Sequence, residues 1–222
     1  MSHYTVGVIL KDKERLQQML EPYGENNEDF YETYTGDDGE EYSCNPNAKW
    51  DWYEIGGRWM DSLKVRKSAL CCNGFHFGQS SGKVPRGKYR WTDGARIKDI
   101  LWSSMNTASQ EQIKEAAEFW DGYVENQEPD EDFGFCFSRQ YYKDMYETKE
   151  DYIMKSNLFY THSLLLCDEE LDQEWIEMGE MGWFGCDNST KDSLNEYLKR
   201  FYDIINNPKY QDYWFIVVDC HI

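Results

Sequence analysis

Both ends of this chain read as buried β-strands, and that constrains its fold more than anything between them. His3-Tyr-Thr-Val-Gly-Val-Ile-Leu10 and Tyr213-Trp-Phe-Ile-Val-Val-Asp-Cys-His-Ile222 are β-branched, aromatic and apolar. Such runs belong inside a sheet, and the simplest closure makes the two antiparallel neighbours. Asp12 caps a helix over 13–20, with Leu16, Met19 and Leu20 on one face and Pro22 past its end. Before the last strand, Ser189 or Thr190 caps a helix reaching Asn206; Leu194, Tyr197, Leu198, Phe201, Ile204 and Ile205 form its apolar stripe, and Pro208 marks its stop. Residues 158–167 and 174–178 read as a hairpin.

The resulting order, β-α-(insert)-β-β-α-β, predicts an α+β fold. The specific expectation is a split β-α-β, ferredoxin-like antiparallel sheet with a large insertion between the first helix and the middle hairpin. One domain over 1–222 is expected, with an inserted lobe at 24–155 that includes a basic loop at 62–98. Within that lobe, residues 25–41 read as an acidic loop or short irregular strands, and residues 92–105 as the start of a helical region. Ser109 caps a helix over 109–123, and residues 138–155 read as another.

The insert also holds the motif richest in chemistry, Asn45-Pro-Asn-Ala-Lys-Trp-Asp-Trp-Tyr-Glu-Ile-Gly-Gly-Arg-Trp59. Trp50, Trp52, Tyr53 and Trp59 offer flat stacking faces, and Lys49 and Arg58 offer donors to anions. Gly56-Gly57 permits close backbone approach, and Asp51 adds a carboxylate. Such parts suit a flat, negatively charged ligand such as a nucleotide. On a strand, Trp50, Trp52 and Glu54 would share one face and Asp51, Tyr53 and Ile55 the other. Two further clusters are expected nearby. Glu180-Met-Gly-Trp183 presents an aromatic at a glycine-rich turn, and Asp219 and His221 lie two apart on one face of the last strand. Asp219 orienting His221 would make an acid–base pair. Against these stand plainer explanations: Trp-rich strands are more often core than ligand cage, Arg58 has Asp51 as an obvious partner, and a histidine near a chain end is often idle.

Charge and cysteine content narrow the classes. The chain carries −19 overall, which repels nucleic-acid polymers and disfavours duplex DNA. That total conceals a segment, 62–98, where nine basic residues meet a single acid for a local charge of +8, against −27 elsewhere. No apolar run approaches the ~18 residues of a membrane span, and no secretory signal opens the chain. Seven dispersed cysteines fit reduced thiols. The four histidines lack metal-binding spacing, so neither metal nor cofactor is expected, and no P-loop, GxGxxG or GxSxG motif occurs.

The opening Met1-Ser-His-Tyr-Thr-Val, Leu20-Glu-Pro-Tyr-Gly-Glu25, the 45–59 motif, Gly179-Glu-Met-Gly-Trp-Phe-Gly185 and Val218-Asp-Cys-His-Ile222 together resemble a family of small proteins encoded by bacteriophages and prophages. The resemblance covers both ends and the middle of the chain, not the basic segment nor residues 100–155. It implies a setting, the cytoplasm of an infected bacterium, and no mechanism. In that setting the motif predicts a counter-defence protein that sequesters a nucleotide-derived signal, such as a cyclic oligonucleotide or an ADP-ribose derivative. A phosphodiesterase-type enzyme degrading the signal is the alternative, with His221 as acid or base. An acidic interaction inhibitor or DNA mimic is the third reading. A homo-oligomer and a host defence protein stay open as partners.

Overall fold

The computed structural model describes residues 2–73, 88–126, 138–169, 173–182 and 186–222. The fold is α+β, organised on a seven-stranded mixed sheet. Its centre is the pair foreseen from the chain ends: β1 (His3–Leu10) and β11 (Trp214–His221) run antiparallel, with His3 opposite His221 and Leu10 opposite Trp214. Both strands are buried on both faces by a period-two alternation. Tyr4, Val6, Val8 and Leu10, with Trp214, Ile216, Val218 and Cys220, pack against Leu16, Met19 and Leu20 of α1 (Leu16–Leu20). Ile9, Phe215 and Val217 face the other way, onto Tyr197, Phe201, Ile204 and Ile205 of α6 (Lys191–Asn206). Gly7 belongs to this second face, where a Cβ would sit 2.6 Å from the Phe215 ring.

The helix signals were sound. Asp12 accepts from the Glu14 amide and caps a short 3-10 turn leading into α1. Thr190 closes a capping box with Ser193 at the start of α6, and Ser109 does the same with Gln112 at the start of α3 (Gln110–Phe119). Residues 138–155 form two helices rather than one, α4 (Arg139–Met145) and α5 (Lys149–Ser156), because Tyr146 turns extended and Thr148 caps anew.

The strand order departs from the expectation. β9 (Ser163–Leu166) lies directly beside β1 and parallel to it, and β10 (Glu174–Glu177) pairs antiparallel on β9's outer edge. In a split β-α-β unit another strand would separate β1 from β9, and the sheet would be antiparallel throughout. Burial explains the observed order. All four residues of β9 are buried, as an interior strand needs, whereas β10 is half-exposed and suits an edge.

Residues 24–155 contribute to the principal sheet. β8 (Gly94–Arg96) pairs with the first half of β11, β4 (Trp52–Ile55) with its second half, and β6 (Cys71–Cys72) extends the sheet beyond β8. The switch occurs at Val217, whose N–H donates to Asp93 and whose carbonyl accepts from Gly56. The 62–98 segment, expected as a loop, therefore holds sheet strands. It also holds a separate two-stranded ribbon of β5 (Leu63–Arg66) and β7 (Tyr89–Thr92). The helical reading of 92–105 holds only for α2 (Trp102–Met105) and a preceding 3-10 turn. Residues 25–44 form an exposed hairpin of β2 (Glu32–Thr35) and β3 (Glu41–Cys44). Cys186 is disulfide-bonded, which corrects the expectation of reduced thiols throughout; Cys44, Cys71, Cys72, Cys167 and Cys220 are free.

Candidate functional site

Three strands bring the chemistry of the chain ends into one row. His3 of β1 faces His221 of β11, which faces Trp52 of β4, and the next row holds Thr5, Asp219 and Glu54. Cross-strand partners share a face, so these side chains extend the α6-side surface beyond its apolar core. His3 Nδ1 lies 2.8 Å from Asp219 Oδ1. The second Asp219 oxygen accepts the Arg58 backbone N–H at 2.9 Å. His221 Nδ1 lies 2.5 Å from Asp51 Oδ1. The two imidazoles meet edge to face at 4.9 Å, and the Trp52 indole stacks on His221 at 5.2 Å and 18°.

The expected pairing of Asp219 with His221 is thus replaced. Asp219 orients His3, and Asp51 orients His221. Asp219 reaches His3 on the diagonal, one row away across the β1–β11 pair, and Asp51 reaches His221 from the bend just before β4. His3 was missed as a site residue, although the antiparallel pairing of the two ends already puts it opposite His221.

Gly56 and Gly57 serve this cluster. Both have positive φ, 73° and 51°, which glycine adopts without penalty. Two buried carboxylates crowd against them: a Cβ on Gly56 would lie 2.5 Å from the Asp93 carboxyl carbon, and one on Gly57 would fall closer still to Asp219. The Asp93 carboxylate accepts from Asp61 N–H at 2.6 Å. The glycine pair therefore lets two acids bind turn amides, and no ligand is needed to account for it.

The rest of the motif divides between core and surface. The chain bends at Asp51 before β4 begins, so Trp50 and Trp52 do not share a face. Trp50 packs on the α1 side, edge-on to Tyr53 at 5.0 Å and against Gly24. Tyr53 packs there too, and burial raises its phenol pKa. Trp59 packs against the α6-side core. Lys49 Nζ is 2.9 Å from Glu177 and is committed to it. Trp52, 43% exposed, and Arg58 face solvent. The Arg58 guanidinium holds no carboxylate among the described residues. Trp183 lies outside the described residues. Asp219 and His221 are 2% and 3% exposed, and His221 Nε2 is buried without a hydrogen-bond partner.

A third histidine follows the same pattern. His162 Nε2 lies 2.8 Å from Asp187 Oδ2, and its Nδ1 lies 2.9 Å from Ser163 Oγ. Burial pushes the Asp187 pKa up, but hydrogen bonds from His162 and Ser189 outweigh it and leave the carboxyl below its ordinary value. A cavity of about 350 Å3 opens at the opposite end of β1, lined by Lys11, Arg15, Met19, Cys167, Glu169 and Gln173 among others, and includes no residue of the motif. Among the described residues no cluster of three or more His, Cys, Asp or Glu is placed to hold a metal, and no helix is long and apolar enough to cross a membrane. No protein-family model, curated protein or solved structure matches this chain.

Proposed function

We propose that this chain binds a flat, phosphate-bearing small molecule on the surface formed by Trp52 and Arg58 above the His3–His221 pair. In a phage-infected bacterium it would thereby sequester a nucleotide-derived signal, such as a cyclic oligonucleotide or an ADP-ribose derivative. One observation carries the reading: Trp52 rests one ring face on His221 and stays substantially exposed, with a guanidinium free of carboxylates nearby in sequence. In a protein with 42 acids and 23 Lys and Arg, an exposed arginine without an acid leaves its donors available to an anion. Stacking contributes about 1–3 kcal/mol per base, and each charge-assisted hydrogen bond to phosphate about 1.5–3 kcal/mol. A few such contacts bring affinity into the millimolar-to-micromolar range once ordering costs are subtracted.

Calorimetric titration with ADP-ribose, cyclic dinucleotides and cyclic trinucleotides tests this. Binding of at least one, lost in Trp52→Ala and Arg58→Ala while the melting transition persists, is the expected result. If no ligand in the panel binds tighter than about 1 mM, or if both variants bind like the parent, the reading fails.

The enzymatic alternative has its own support, since each imidazole is held at Nδ1 by a different carboxylate. One ring could take a proton from an attacking oxygen while the other gives one to the leaving oxygen of a phosphodiester. Against it, Trp52 covers His221 and its Nε2 has no access to solvent. Binding therefore ranks first. Chromatography of the same ligands after incubation separates the two: products that vanish in His3→Asn and His221→Asn would put the enzyme first.

A further inference from the structure

The β5–β7 ribbon presents a second surface, independent of the one above. Its register places Lys64 opposite Trp91 and Arg66 opposite Tyr89. Cross-strand partners share a face, so these four side chains form one face of the ribbon. The alternate face carries Leu63 and Val65, both buried in the α6-side core, with buried Thr92 and half-buried Arg90 opposite them. The ribbon is therefore anchored on one side and open on the other. On the open side Tyr89 and Trp91 are exposed, their rings 6.3 Å apart. Lys64 Nζ lies 4.1 Å from the Tyr89 ring centroid, and its ammonium is steadied by Ser104 Oγ at 2.6 Å. Arg66, opposite Tyr89, is exposed, as are Lys67 and Lys88, the next residues at the same end of the ribbon.

Several described cations elsewhere are ion-paired, whereas Arg58 and Lys143, like those of this patch, are not. Lys49, Lys149, Lys155, Lys199 and Arg200 each hold a carboxylate. Arg66, Lys67 and Lys88 hold none among the described residues, although acids outnumber bases almost two to one. The sole acid in the 62–98 segment, Asp93, is fully buried and turned to Gly56 and Asp61. A cationic face kept clear of acids, with two aromatic rings set among the charges, matches the chemistry of an extended single strand: phosphates to the cations, bases to the rings. A duplex keeps its bases stacked inside and has nothing to offer the rings. The charge of −19 slows the approach of long polymers, yet at physiological salt screening over about 8 Å leaves a bound short strand governed by the local patch.

We propose that the open face of the β5–β7 ribbon binds short single-stranded nucleic acid through Tyr89 and Trp91 stacking and through Lys64, Arg66, Lys67 and Lys88 on the phosphates. The test uses the full chain and labelled single strands of about 8 nucleotides, RNA and DNA in separate arms, with a duplex of equal length and polyglutamate as comparators. Both single strands or one of them should bind, the duplex and polyglutamate should not, and the logarithm of affinity should fall with the logarithm of salt at a slope of about −3 for four phosphate contacts. Trp91→Ala should weaken binding about 5–150-fold, and the double variant Arg66→Glu, Lys67→Glu should abolish it with the circular dichroism unchanged. Trp52→Ala should leave it intact, which keeps this outcome separate from that of the small-molecule site. Equal binding of polyglutamate, indifference to Trp91→Ala, loss of binding in Trp52→Ala, or no binding of either strand would overturn the proposal. So would salt-sensitive self-association abolished by the double variant without any strand binding, which would make the acidic hairpin of a second copy the occupant.

Discussion

Replacing Gly57 with alanine tests the geometry on which the candidate site rests. Gly57 has φ of 51°, and a left-handed conformation costs a non-glycine residue about 1–2 kcal/mol. The new Cβ would also collide with Asp219, whose carboxylate must move away from its two partners, the Arg58 N–H and His3 Nδ1. Asp219 is buried, so weakening its hydrogen bonds adds about 1.5–3 kcal/mol. The total is about 3–5 kcal/mol, or a fall in melting temperature of about 6–20 °C for a chain of this size. Gly39→Ala is the matched control. Its φ is 83°, but a Cβ there meets nothing within 4 Å, so only the backbone part, about 1–2 kcal/mol, applies. Urea denaturation of both variants, with the m-value unchanged, measures the difference. If Gly57→Ala is no more destabilising than Gly39→Ala, Asp219 does not press on that turn, and the arrangement built on it is wrong.

Phe215, fully buried where α6 and β11 meet and fitted against Gly7, should lose about 3–5 kcal/mol on truncation to alanine in the same denaturation assay. Asp187 has a depressed pKa in the folded state. Its contribution is therefore present above the ordinary carboxylate value and disappears as pH falls through the folded one. Asp187→Asn should be less stable than the parent at neutral pH, with the gap closing in acid; a constant gap from neutral pH down to about pH 2 would contradict that. Burial pushes the Cys167 thiol up to about 12 and Cys220 well above its ordinary range, while Cys44 is exposed. Mass-mapped alkylation near pH 8 should label Cys44 quickly and Cys167 and Cys220 only on unfolding.

What the sequence made legible follows from how strongly each signal outweighs its competitors. The terminal strands and α6 carry long, regular apolar patterns, and their caps are spelled out by Asp12, Ser109 and Thr190. Strand order was misread although residue type carried part of it: the apolar run Ser163-Leu-Leu-Leu166 suits an interior strand and the Glu-flanked Glu174-Trp-Ile-Glu177 an edge, but neither names the strand that β9 pairs with. Gly94-Ala-Arg96 has no strand propensity of its own; Ala95 is held by its place opposite Phe215. In the 45–59 motif, alternation put Trp50 and Trp52 on one face, but the bend at Asp51 breaks the period and sends the two indoles to opposite sides. Asp219 and His221 were found by spacing alone, whereas their actual partners, His3 and Asp51, are 216 and 170 positions away in the chain. Such distances are beyond any local pattern.

β11 also sets the order of assembly. It borders β1 along one edge and β8 and β4 along the other, so three strands drawn from 3–96 share no neighbour until residues 214–221 arrive. Pairings spanning that many residues form slowly, since closing large loops precedes the gain from contact. On a ribosome the earlier strands would wait with open edges, and a fragment ending before Trp214 should aggregate or be degraded instead of persisting as a partial fold.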